Sequence, residues 1–61
     1  MPLVTVKALE GRTIEQKRGL AKDITEAFVK NFEVEPDAVS ICLIEVSKDN
    51  LARAGQLLVD R

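Results

Sequence analysis

Apolar and polar residues alternate at the start of the chain. In "PLVTVKAL", Leu3, Thr5 and Lys7 fall on one side, and Val4, Val6 and Ala8 on the other. Branched and aliphatic residues in this setting predict a strand from Pro2 to Leu9. "EGRT" interrupts it. Gly11 permits a turn, and Thr13 with Gln16 has the T-x-x-Q spacing of a capping box. Glu15 follows in the first turn, where the helix dipole favours negative charge. The period then changes. Leu20, Ala21, Ile24, Ala27, Phe28 and Phe32 recur at helical spacing and predict a helix from Ile14 to Phe32. Lys17, Arg18, Lys22, Asp23, Glu26 and Lys30 are placed mostly on its solvated side. Gly19 weakens the helix by about 1 kcal/mol relative to alanine. That cost suggests a close approach by another element.

"EVEPDA" ends the helix, because Pro36 cannot continue it and Pro-Asp favours a turn. "VSICLIEV" predicts a second strand from Val39 to Val46, apolar on both faces as in a strand covered on both sides. Strand, helix and strand make a βαβ unit with parallel strands. The tail "LARAGQLLVDR" has no clear period. Gly55 between short apolar runs predicts a small hairpin that docks on a neighbouring subunit. The fold class is α+β: one domain over residues 1–61, with one sheet face left for a second subunit to cover.

Size sharpens that expectation. A chain of 61 residues is marginal as a lone domain and usually needs disulfides, a metal or oligomerisation. One cysteine allows no internal disulfide, and the absence of histidine removes the common zinc ligand sets. Oligomerisation is left. A net charge of −1 with mixed signs and no basic tract argues against nucleic acid. No apolar run approaches the ~18 residues of a membrane span. There is no signal-peptide pattern. A single reduced cysteine fits a cytoplasmic setting.

Candidate chemistry is sparse. The usual general base, histidine, is missing. Cys42 reads as an inert buried thiol within a strand. Phe28 and Phe32 read as core. The glycines are too scattered for a phosphate loop. Pro2 is different. If Met1 is trimmed, its nitrogen becomes a secondary amine that can take and give a proton. An apolar pocket or a nearby cation disfavours the charged form of such an amine. Against this stands the plainer reading, a proline tolerated at a strand end.

"MPLVTVKALEGRTIEQKRGLAKDITEAF" resembles the opening of the 4-oxalocrotonate tautomerase family. Proline after methionine and "EGRT-x-EQK" carry the likeness, which continues through "EPDAVSICLIEVSKDNLARAG". The resemblance implies a cofactor-free keto–enol tautomerase assembled as a hexamer, a trimer of dimers, with a small-molecule carboxylate substrate. Pro2 would be the catalytic base and then acid. Arg12, supplied by a neighbouring subunit, would bind the substrate carboxylate; a guanidinium pairs bidentately with that group. The chain departs from the family at two positions. Ser40 stands where well-known members have a second arginine, and Leu51 where an aromatic usually helps wall the site. Ser40 could donate a hydrogen bond, Leu51 could exclude water, and Arg53 is a candidate for the missing charge. The alternatives are a subunit that completes a homologue's site in a mixed oligomer, a related hydratase or dehalogenase of unsaturated acids, and a binding module on the same scaffold.

Overall fold

A computed structural model describes all 61 residues. Its first element, β1, is Leu3–Leu9, and the helix α1 is Ile14–Phe32. The capping box forms between them. The Gln16 N–H donates to Thr13 Oγ1 at 3.1 Å, and the Thr13 N–H donates to Gln16 Oε1 at 2.9 Å. Two donors with no partner inside the helix are satisfied this way. At the other end Glu33 takes a left-handed conformation (φ 56°) and its N–H donates to the Val29 carbonyl at 3.1 Å. A short 3-10 turn, Pro36–Ala38, follows.

Strand β2 is Ser40–Val46, paired parallel to β1 from Leu3 opposite Ser40 to Leu9 opposite Val46. Pro2 and Val39 stand just outside the two strands. The register puts Val4, Val6 and Ala8 beside Ile41, Leu43 and Glu45. This face looks at the helix, because Glu45 forms an ion pair with Lys17 of α1. After a 3-10 turn at Lys48–Asn50, β3 (Ala52–Arg53) and β4 (Gln56–Leu57) make the expected hairpin. Its two turn residues, Ala54 (φ 54°) and Gly55 (φ 79°), both have the positive φ that tight hairpin turns require.

The opposite sheet face carries Leu3, Thr5 and Lys7 beside Ser40, Cys42 and Ile44. Nothing in the subunit covers it. Leu3 is 75% exposed, and Cys42, expected to be buried, is also exposed. The reason is topological: one helix screens one side of a two-stranded sheet. The apolar stripe of α1 is wider than the sheet it meets. Ala21, Ile24 and Phe28 are half-buried, while Leu20, Ala27 and Phe32 are exposed. Phe32 stacks edge-on against Phe28 at 5.0 Å but remains 63% exposed, so it is not core within the subunit.

No residue of the isolated chain is fully buried. Its accessible surface is 4961 Å², against about 3,900 Å² for a compact monomer of this mass. The radius of gyration is 14.8 Å, against about 10.5 Å for a compact chain of this length. Sheet, helix and hairpin spread over 44 × 23 × 13 Å.

Two details revise the sequence expectations. Gly19 meets no close neighbour; a Cβ added there would find nothing within 4 Å. Lys17 is not on the solvated side of α1 but turned toward the sheet, its side chain 27% exposed. The hydrogen bond from Lys17 holds the Glu45 carboxyl below the ordinary value of 4.5. Partial desolvation opposes that effect, and the Lys17 charge and the Gly11 N–H reinforce it.

Gly19→Ala is expected to raise stability by about 1 kcal/mol in chemical denaturation, the helix gain without a steric cost. A loss of stability would reveal a close approach between subunits. The Glu45 pair makes a pH prediction. Its folded value lies below its unfolded one, so its stabilisation is present above the ordinary glutamate value and lost as pH falls through the folded value. Below pH 4.5 the melting temperature of the native protein should therefore fall more steeply than that of Glu45→Gln.

Candidate active site

Pro2 lies one residue before β1 and is half-buried. Its carbonyl accepts a hydrogen bond from the Ser40 N–H at 3.0 Å. That bond ties the start of the chain to the start of β2 and brings Pro2 and Ser40 together at one end of the sheet. The proline nitrogen takes no part in it. Met1, beyond this anchor, is 91% exposed.

Arg12 is at the other end. Seven strand residues separate it from Pro2, and at about 3.3 Å per residue they span about 23 Å. No rearrangement of one arginine side chain bridges that length. Within one subunit, then, Pro2 and Arg12 belong to different ends of the molecule. Leu51 and Arg53 follow β2, which finishes beside Leu9 at the Arg12 end. Leu51 is 39% exposed, and its carbonyl accepts from the Leu58 N–H at 2.8 Å. Arg53 pairs with Gln56 in the hairpin and is exposed. The five candidates thus divide into Pro2 with Ser40 at one end, Arg12 at the other, and Leu51 with Arg53 on the hairpin arm.

The segment carrying Arg12 is braced on both sides. The Glu10 N–H donates to the Val46 carbonyl at 2.9 Å, and Thr13 is held in the capping box. Gly11, at φ 114°, makes the turn between them. Arg12 lines a small cavity with Ala8, Lys17, Leu20, Leu43 and Glu45. Lys17 and Glu45 were not singled out by sequence reasoning. The signal was available in the spacing: Lys17 is seven residues before Ile24, on the sheet-facing side of the helix. Glu45 alternates with Ile41 and Leu43 on the inner face of β2.

Arranged this way, the chain offers a half-buried chain start at one end and an accessible guanidinium at the other. Two copies with opposed ends could join them. The family model described as Tautomerase enzyme matches residues 2–61. The 2-hydroxymuconate tautomerase of Bacillus subtilis is 45% identical over 60 residues, covering 98% of this chain and 97% of that protein. A 4-oxalocrotonate tautomerase isozyme of Methylibium petroleiphilum superposes with a TM-score of 0.92 at 42% identity, over 98% of this chain and 94% of that one. A heterohexamer 4-oxalocrotonate tautomerase from Chloroflexus aurantiacus gives a TM-score of 0.89 at 30% identity, over 98% and 97% of the two chains. The chain belongs to the tautomerase family, and its named relatives are isomerases.

Proposed function

We propose that this protein is a cofactor-free keto–enol tautomerase of an unsaturated 2-hydroxy acid, with the amino-terminal amine of Pro2 as base and then acid. The observation that carries the reading is how Pro2 is anchored. Its carbonyl enters the sheet through Ser40, while its nitrogen is left outside the ladder. Removal of Met1 would therefore create the amine without breaking a sheet hydrogen bond. The proline ring then fixes the amine at the strand's start.

In the reaction the amine takes the proton of the enol hydroxyl. The electron pair of that O–H bond becomes the carbonyl, the conjugated double bonds shift, and a distant carbon accepts the proton back from the ammonium. No net proton is gained or lost. Arg12 of a neighbouring subunit binds the substrate carboxylate and draws electron density toward it. The separation of about 23 Å along β1 supports this division between subunits. Ser40 donates a hydrogen bond near the amine, Leu51 excludes water, and Arg53 supplies a second positive charge. The uncovered sheet face and the wide helical stripe support assembly with further subunits, and the resemblance implies that the assembly is a hexamer.

Intact mass and ultraviolet kinetics with a 2-hydroxymuconate dienol test the reading. The mature protein should lack Met1, and Pro2→Ala should lower kcat by about 100-fold or more while the oligomer persists. Full activity of an assembled, correctly trimmed Pro2→Ala would refute the proline base. Activity of the purified chain alone argues against an obligate mixed oligomer. Because folding is tied to assembly, the denaturation midpoint should also rise with protein concentration. A midpoint independent of concentration would count against that coupling.

A further inference from the structure

Arg12 makes no ion pair within the subunit, although a carboxylate lines the same cavity. That carboxylate, Glu45, is occupied. Lys17 reaches across from α1 and pairs with it. An unoccupied carboxylate in this place would be a strong competitor, since carboxylate and guanidinium form bidentate, charge-assisted pairs. A substrate carboxylate would then have to displace it.

We propose that Lys17 is a positioning residue: by holding Glu45 it keeps the Arg12 guanidinium unpaired and available to the substrate's carboxylate. This rests on the reading of Arg12 as the carboxylate binder. Two features support it. Lys17 is partly screened from solvent, so its pair with Glu45 is less exposed than Arg18–Glu15, whose side chains are 66% and 77% exposed. The Glu10–Val46 bond and the Thr13 capping box, on either side of Arg12, involve neither Lys17 nor the carboxylate of Glu45, and the Gly11 N–H that also reaches that carboxylate does so without Lys17. Removing Lys17 therefore frees the Glu45 carboxylate without releasing those two braces.

A pair that only ties helix to sheet is broken equally by losing either partner. A pair that protects Arg12 is asymmetric, and steady-state kinetics of the assembled enzyme with the 2-hydroxymuconate dienol separates the two. Arg12→Ala should raise KM by about tenfold or more; an unchanged KM would remove the carboxylate-binding role and the proposal with it. Lys17→Met should raise KM several-fold with kcat within about twofold. Glu45→Gln should leave KM unchanged or lower it, and the Lys17→Met/Glu45→Gln double variant should match Glu45→Gln. In an Arg12→Ala background, Lys17→Met should add nothing to KM. Equal rises for Lys17→Met and Glu45→Gln would reduce the pair to a structural tie and overturn the proposal. A KM that stays high in the double variant would assign Lys17 itself to the substrate, and also overturn it. If Lys17→Met does not assemble, Lys17→Ala takes its place, since it releases Glu45 in the same way and keeps a strong helix former in α1, and the same outcomes apply.

Discussion

A two-stranded sheet has two faces, and this chain owns one helix. Burying apolar surface is the main force that holds a small protein together. Here only one of the sheet's two faces has something to bury against. Val4, Val6, Ile41 and Leu43 lie under α1, while Leu3, Cys42 and Ile44 face outward. Two other properties of the subunit follow from that shortage: its excess surface and its spread shape. A covering surface from outside would supply the burial that one chain lacks.

The elements were legible in the sequence because their signals are local. A Thr-x-x-Gln spacing produces its own pair of hydrogen bonds whatever surrounds it, and α1 begins where that spacing says. The strands start one residue later than expected, at Leu3 and Ser40, because Pro2 and Val39 flank the ladder. Burial was less legible. Cys42 looked like a core residue because its neighbours in sequence are apolar, but burial depends on which element lies over a face. Gly19 looked like a point of close contact, and nothing in the subunit approaches it.

The candidate site is less easily read, because its residues come from distant parts of the subunit. Pro2 and Arg12 carry sequence signals of their own, and nothing local reports the length of strand between them. Lys17 was hidden by its chemistry. A lysine on a helix is usually solvated, and its stem can lie along apolar surface while its charge finds a partner. Here the partner is Glu45, an acid at an inward position of β2. Each residue alone reads as surface; the register makes them a pair.

The bond between the Pro2 carbonyl and the Ser40 N–H ties Pro2 into the sheet by its carbonyl alone and leaves its nitrogen outside. Everything that holds β1 in place lies on the carbonyl side of Pro2. Anything attached to its nitrogen, whether Met1, an affinity tag or a leftover residue from tag cleavage, is outside the ladder. Such a preparation would keep the register of β1 against β2 while its proline nitrogen stayed acylated and unable to exchange a proton. For laboratory work the practical consequence is an untagged amino terminus, with any handle placed at the other end of the chain.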